Sequence, residues 1–524
     1  MRQKIVEILV SALGRDNIEL GVPKERKFGD YSINTAMAVA KSQGKNPRET
    51  AKEFKEKIEK ADKGKLFKKI EIAGPGFINL FINDPAAQES LNEIIKAGDD
   101  YGRNDSGGGK KVLIEFVSAN PTGPLHIGHG RWAAIGSSLA EIMKACGYSV
   151  ETEFYVNNIG RQVDLLIESV LCAGKGLDTP EGGYGGSYIK DIAEDVKKDK
   201  PEDVKKYILD KMLAEQKQTL LEARTEFDNW FFENTLHENG SVKKTVEHLK
   251  KNDVTYEKDG ALWFKSEQFG DDKDRVLVRE NGEPTYFAAD ITYHADKFKR
   301  GFDLLINVWG TDHHGYVKRL QSALEALKLP SQKLEIIIGQ LVTLYRGKEP
   351  VRMSKRTGEM ITFKEVLDEI GCDAARFFLL MTGADTHMDF DLELAKKKSL
   401  ENPVYYIQYA CARISNIIKN CCVPVPDTVD ADLSLLKEEA EKELILKLIE
   451  YPNEVKAAGQ AMQPHHIVRY ARQVAALFHS YYHKCRVISE DKETMKARLA
   501  LISSTRIVLS NVLKLLKVSA PERM

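Results

Sequence analysis

The chain has 524 residues, of which 42% are hydrophobic and 30% charged, a balance ordinary for a folded protein of about three to four domains. Its 77 basic and 78 acidic side chains leave a formal net charge of −1, so bulk charge gives no sign of nucleic-acid binding, and any RNA contact must come from local surfaces. No apolar run approaches the ~20 residues of a membrane span, and the cysteines at 146, 172, 372, 411, 421, 422 and 485 include no Cys-x-x-Cys, which argues against a disulfide framework and a zinc ribbon.

The start, Met1-Arg2-Gln3-Lys4-Ile5-Val6-Glu7, mixes acid with base and lacks a long apolar core, so it does not read as a signal peptide, and a cytoplasmic location is expected. Ile5, Leu9 and Leu13 at four-residue spacing predict a helix. Residues 70–82 predict two strands around Gly74-Pro75-Gly76. Residues 1–109 thus form an N-terminal α+β domain, and Ser106-Gly107-Gly108-Gly109 predicts a flexible linker.

Val112-Leu113-Ile114-Glu115-Phe116-Val117 then predicts a buried strand, followed by Ser118-Ala119-Asn120-Pro121-Thr122-Gly123-Pro124-Leu125-His126-Ile127-Gly128-His129. This is a Pro/Gly turn leading into a helix with two histidines on its first turn. A helix N-terminus carries partial positive charge and unpaired N–H groups, so it attracts phosphate. His126 and His129, three apart, share a face and can serve one anion, and Gly128 lets a flat base lie against the backbone. The alternative is a helix start whose histidines cap or pack. A second strand, residues 149–156, completes a βαβ unit and predicts a parallel sheet with ligands at its carboxyl edge.

Residues 173–275 turn charged and glycine-punctuated, as in Glu181-Gly182-Gly183-Tyr184-Gly185-Gly186, and read as an insertion in a catalytic domain spanning 110–172 and 276–365. The sheet pattern resumes at Thr285-Tyr286-Phe287-Ala288-Ala289-Asp290 and the strand 304–310. Asp312-His313-His314 offers three adjacent potential ligands, but strand neighbours point to opposite faces and no fourth ligand stands nearby; its position after a sheet strand favours the lining of a ligand pocket over a metal site. Arg352-Met353-Ser354-Lys355-Arg356-Thr357-Gly358 is a polar loop whose Lys355 suits a mobile phosphate grasp. Residues 366–400 connect to a purely helical region, 401–524, in which Ile407, Ala410, Ile414 and Ile417 keep to one face.

Together the two polar segments resemble the paired HIGH and KMSKS motifs of class I aminoacyl-tRNA synthetases, and the run from Glu115 to Arg131 resembles the arginyl-tRNA synthetases in particular. The resemblance implies an α/β fold: a Rossmann-type parallel-sheet catalytic core, the N-terminal α+β domain against the tRNA body, and an all-α bundle that binds the anticodon. It implies ATP-dependent activation of arginine, release of pyrophosphate, and transfer of the arginyl group to the terminal ribose of the arginine tRNA. ATP, Mg²⁺ and tRNA are the expected cofactors and partners, with no membrane and a monomeric protein.

The resemblance also places residues. His126, His129 and Lys355 are the catalytic candidates; Thr122, Gly123, Gly128, Met353 and Ser354 join them around ATP. Glu115, Ser118, Asn120 and Gln162 are expected at the amino acid, with Tyr286 and Asp290 at its guanidinium. That last pair, four apart, shares a face only if a helix begins near Thr285. A guanidinium demands such acids, because its planar fork of donors matches carboxylates. Phe28, Gly29, Asp30 and Tyr31 resemble an RNA-facing loop, though they read equally as a turn feeding the next helix. Tyr405, Tyr409 and Met524 are expected at the anticodon. Two departures stand out: Arg352 replaces the usual first lysine of the second motif, and Asn158 replaces a frequent aspartate.

The nearest rivals are a class I synthetase for another amino acid, a small nucleotidyltransferase of the same superfamily, and a non-catalytic RNA-binding relative. The long helical C-terminal region argues against the second, and the joint presence of His126, His129 and Lys355 against the third.

Overall fold

A computed structural model describes residues 1–16, 18–23, 25–313, 315–347, 349–351, 361–421 and 431–524, without the side chain of residue 312. Lys355 and its neighbours Met353 and Ser354 therefore lie outside the described residues, as do Cys422 and His314.

The centre is a five-stranded parallel sheet of β1 (Lys111–Glu115), β2 (Ser149–Val156), β3 (Asn229–Phe232), β4 (Leu304–Gly310) and β5 (Leu334–Gly339), in the order β5-β4-β1-β2-β3. Val112, Leu113 and Ile114 in β1 and Leu305 and Ile306 in β4 are fully or almost fully buried, as expected of strands covered on both faces. Helix α1 (Ile127–Ala145) carries the chain from β1 to β2 and is buried along most of its length. It approaches closely because Gly136 has no side chain: a Cβ there would lie 2.1 Å from the Phe116 ring. From β1 the chain builds outward through β2 and β3, then returns to the other side for β4 and β5. The reversal between β1 and β4 leaves a crevice at their carboxyl ends, where sheets of this kind bind ligands.

Three polar residues interrupt the apolar strands in one row. Glu115 of β1 is in register with Glu153 of β2 and with Asn307 of β4. Partners in a parallel ladder point to the same face, so the three side chains stand side by side. Helix α2 (Tyr286–Lys299) covers them.

The stretch 173–275 is not a single insertion. Asn229–Phe232 inside it is the edge strand β3 of the core sheet, paired with β2 from Glu153↔Asn229 to Val156↔Phe232. Four residues in a charged surrounding are too short to show a period. The remainder does stand apart, as helices Ser187–Asp199 and Val204–Glu222 and an antiparallel sheet of Thr255–Lys258, Ala261–Phe264 and Arg275–Val278. The connecting segment 366–400 is also structured, with Met388–Asp391 pairing in parallel with Val342–Arg346.

At the amino terminus, Ile5 and Leu9 of helix Arg2–Leu13 are fully buried, and strands Phe67–Ala73 and Phe77–Ile82 pair antiparallel within a four-stranded sheet. Ser106-Gly107-Gly108-Gly109 is a correction: it is a packed turn rather than a flexible linker. The Gly107 N–H donates to the Cys146 carbonyl at 2.7 Å, and a Cβ on Gly107 would meet the Tyr148 ring at 2.5 Å. Here glycine serves close approach, and composition alone cannot distinguish that from flexibility.

The carboxyl region is helical as expected, with Pro403–Lys419, Glu439–Leu448, Tyr451–Ala461, His465–Lys484 and Lys492–Leu515. Arg376 joins it to the core. Its buried guanidinium donates to the carbonyls of Leu516 and Ala223 at 2.9 and 2.8 Å and to the hydroxyls of Ser137 and Ser138. The amino-terminal domain is held to the same bundle by Gln88, which donates to the Leu436 carbonyl at 3.0 Å, and by Asn511, which donates to the carbonyl of Gly98 at 2.9 Å. Among the described residues no helix is long and apolar enough to cross a membrane.

Candidate active site

A cleft of about 1130 Å³ opens at the carboxyl ends of β1 and β4. Glu115, Ser118, Asn120, Thr122, Gly123, His126, Gly128, His129, Gln162, Tyr286 and Asp290 all line it. Sequence positions from 115 to 290 thus converge on one volume.

At the turn after β1 the backbone is bent sharply. Val117 and Ser118 take positive φ values of 69° and 39°, a region that side-chain-bearing residues seldom occupy, and such strain concentrates at functional sites. Ser118 is held by what it touches: its hydroxyl donates to Glu115 Oε1 at 2.9 Å and accepts from the Tyr155 N–H at 3.1 Å.

The histidines cap α1 reciprocally. The His126 N–H donates to His129 Nδ1 and the His129 N–H to His126 Nδ1, each at 3.3 Å, and the rings stack with centroids 3.6 Å apart. Capping and function are therefore not alternatives here. With Nδ1 accepting in both rings, the proton of a neutral imidazole sits on Nε2 in each. Gly128 makes the stack possible, since a Cβ there would lie 2.9 Å from His126 Cε1.

The turn is clamped from the inserted helices. Gln216, fully buried, donates to the carbonyls of Asn120 and Gly123 at 3.1 and 2.9 Å, and the Tyr188 hydroxyl donates to the Thr122 carbonyl at 3.0 Å. Asn120 donates in turn to Gln162 Oε1 at 2.6 Å. Beyond the loop that holds Lys355, Thr362 forms a β-bridge with His126, and the Phe363 N–H donates to the Leu125 carbonyl at 2.7 Å. The segment that follows the lysine loop is thereby fastened beside the histidines.

On another wall of the cleft, Thr285 is the residue before helix α2, so Tyr286 and Asp290 do share a face. The Tyr286 ring is half exposed and its hydroxyl lies where a Cβ on Gly160 would come within 2.5 Å. Asp290 accepts from the Tyr316 hydroxyl. Loss of hydration pushes its carboxyl up to about 7; the Tyr316 hydrogen bond opposes this, and the nearby Glu233 and Glu115 reinforce it. A positive charge brought beside it would oppose the shift.

Glu233 is a site residue that the sequence reading missed. It follows β3 directly, lines the cleft and is 3% exposed. Burial raises its carboxyl above the usual range, against the opposing pull of the Tyr155 hydroxyl. An acid at the carboxyl end of an apolar strand is the signal that singles out Glu115, and it would have found Glu233 had β3 been recognised. Trp309 and Tyr155, also in the lining, gave no such signal.

Other expected residues sit elsewhere. Asn158 does not line the cleft; it exchanges hydrogen bonds with Asn234 at 2.9 and 3.1 Å and ties the loop after β2 to the next helix. His313 lines the cleft beside Trp309, with ring centroids 5.4 Å apart, in keeping with the pocket reading of its triplet. Of Phe28, Gly29, Asp30 and Tyr31, Phe28 is exposed and Asp30 half-buried. Gly29 packs on the Leu80 backbone, Asp30 accepts from the Ile82 N–H at 2.8 Å, and Tyr31 is 3% exposed. In the bundle, Tyr405 and Tyr409 stack at 6.1 Å, Arg413 lies 4.5 Å above the Tyr409 ring, and Met524 is exposed.

Comparison with known proteins agrees along the whole chain. The catalytic domain of class I (R) tRNA synthetases matches residues 90–180 and 187–398, the arginyl tRNA synthetase N-terminal domain matches 1–82, and the DALR anticodon binding domain matches 407–524. Arginine–tRNA ligases of Carboxydothermus hydrogenoformans and Heliobacterium modesticaldum are 46% and 45% identical, over 97% and 96% of this chain and 94% and 93% of theirs. The solved arginyl-tRNA synthetase of Thermus thermophilus superposes with a TM-score of 0.80 over the full length of both chains at 21% identity, a likeness of fold.

Proposed function

The chain belongs to the arginyl-tRNA synthetase family, activating arginine with ATP and transferring it to tRNA, and from that premise we propose which of its residues do the work. In the first step an arginine carboxylate oxygen attacks the α-phosphorus of ATP, the bond to the β-phosphate oxygen breaks, and pyrophosphate leaves. In the second, a hydroxyl of the terminal ribose attacks the arginyl carbonyl and AMP departs. Neither step needs a nucleophile from the protein; both need alignment and stabilisation of phosphate charge.

His126 and His129 supply that stabilisation through Nε2–H donors at the N-terminus of α1, while Thr122, Gly123 and Gly128 shape the turn on which the nucleotide rests. Lys355, with Met353 and Ser354, serves the phosphates; the described chain resumes shortly after them, and Thr362 bridges to His126. Mg²⁺ brought with ATP would supply neutralisation of phosphate charge, bound largely through the phosphates; among the described residues no cluster of three His, Cys, Asp or Glu side chains could hold a metal ion.

Asn120, Ser118, Gln162 and Glu115 hold the backbone end of arginine. Asp290, Glu233 and Tyr286 take its guanidinium. The observation that carries this is the meeting, in one cleft, of a histidine-capped helix N-terminus with buried acids whose carboxyls are raised by burial. Residues 1–109, with Phe28 at the tip of a loop, face the tRNA body, and residues 401–524, with Tyr405, Tyr409 and Met524, read the anticodon. The enzyme works in the cytoplasm as a monomer.

The test is ATP-dependent attachment of labelled arginine to tRNA, with lysine and glutamate in parallel, by the parent, Lys355→Ala and Asp290→Asn proteins. Arginine alone should be charged. Lys355→Ala should slow it on the order of 10²-fold, and Asp290→Asn should raise the arginine KM. Parent-like kinetics in both variants would remove the assignment.

A further inference from the structure

The polar row across the sheet is served from one side by a single helix. Lys297, in the last turn of α2, is fully buried; its ammonium pairs with Glu115 Oε2 and donates to Asn307 Oδ1 at 3.0 Å, above the face of the Tyr293 ring at 4.3 Å. Asn307 donates to His294 Nε2 at 2.7 Å, and His294 Nδ1 donates to the Asp290 carbonyl at 2.8 Å. Burial, with the charge of Lys297 beside it, holds the imidazole well below its usual range, so it stays neutral and bridges one donor and one acceptor rather than adding charge. One turn away, Glu153 accepts from Arg300 twice, at 2.6 and 2.9 Å, and from the Tyr293 hydroxyl at 2.6 Å. Glu115 and Glu153 are thus each matched by a cation from α2 or its C-cap, whereas Glu233 and Asp290 are not paired with Lys297 or Arg300.

We propose that Lys297 is a positioning residue for arginine: it occupies one oxygen of Glu115, turns the other toward Ser118, and thereby reserves Glu233 and Asp290 as the seat for the guanidinium. The proposal rests on the arginine placement given above. A second consequence is geometric. Paired with the ammonium, Glu115 is neutralised and offers no unmatched carboxylate, so the guanidinium goes to Glu233 and Asp290 and the backbone end of arginine is left toward the phosphate turn. The chain Lys297, Asn307, His294, Asp290 carbonyl also fixes the backbone of the residue that the guanidinium meets, so both ends of the amino acid are referred to one buried side chain.

The experiment is steady-state aminoacylation by Lys297→Met, a neutral side chain of similar length, with arginine and ATP varied separately and Asp290→Asn run in parallel. Expected for Lys297→Met is a loss on the order of 10²-fold in kcat/KM for arginine, as for a misplacement of about 1 Å, with the ATP KM unchanged and the preference for arginine over lysine narrowed. If Lys297→Met does not fold, Asn307→Val, which keeps both charges but frees one side of the ammonium, should raise the arginine KM roughly threefold or more with the ATP KM unchanged. A folded variant with a parent-like arginine KM, or with arginine and ATP KM raised together, overturns the proposal. An Asp290→Asn protein with a parent-like arginine KM instead overturns the underlying placement.

Discussion

At the phosphate turn, residues 118–129 provide nearly the whole site: a strained bend, a helix N-terminus and two rings that hold each other through backbone bonds. In the amino-acid part, Glu115, Glu153, Glu233, Asp290, Lys297 and Asn307 come from separate strands and a helix and depend on one another's charge. The first part is local and made largely of backbone; the second is distributed and made of buried side chains. Losing a side chain from the first removes a donor and leaves the scaffold. Losing one from the second strands an unpaired charge, which costs more than the contact itself contributed.

The sharpest way to expose this contrast is His126→Ala. It should lower kcat on the order of 10²–10³-fold while lowering helix stability by only about 1 kcal/mol, the worth of a cap. Single-turnover aminoacylation and thermal unfolding check the two numbers; a variant that unfolds outright would break the distinction.

Asp290→Asn should act on the other side of the comparison, raising the arginine KM on the order of 10–10²-fold through loss of a charge-assisted bond with little change in the ATP KM. The parent should also show a pH dependence that this variant lacks. In the folded protein the Asp290 carboxyl lies at about 7, above its unfolded value near 3.9. Its contribution to stability is therefore fully present below the unfolded value and is lost as pH rises through about 7. Arginine binding takes the ionised form, so kcat/KM for arginine should rise about tenfold per unit up to that pH and then level. A parent profile that coincides with that of Asp290→Asn would show that this carboxyl does not titrate against arginine.

The smallest effect is expected where neither charge nor catalysis is involved. Gly136→Ala places a Cβ within 2.1 Å of the Phe116 ring, where α1 packs on the residue after β1 and neither residue lines the cleft. Overpacking of that kind costs about 1–3 kcal/mol, measurable by denaturant unfolding, with kinetic constants close to the parent's.

The same contrast explains what could be read from the chain. The βαβ unit, the histidine turn and the helical carboxyl region are local patterns, and the strands 149–156 and 304–310 fall where alternation and apolar runs place them. Tyr286 and Asp290 were named through the resemblance to the arginyl family, and the helix that starts after Thr285 puts them on one face. Glu233 was hidden because β3 is four residues long and embedded in charged sequence, and Lys297 because a lysine in a helix rich in charge reads as solvated until the strand behind it is known. Ser106-Gly107-Gly108-Gly109 misled for a related reason: flexibility and tight packing ask for the same residue. Lys355 was legible as a motif although its loop lies outside the described residues.

The central claim is that phosphate chemistry and arginine recognition are carried by different parts of one cleft, and the arginine KM of the His126→Ala protein tests it most directly. The account predicts a value within about twofold to threefold of the parent's beside the collapsed kcat, since removing a donor used only in the transition state leaves ground-state binding intact. A KM that rises in step with the fall in kcat would contradict it.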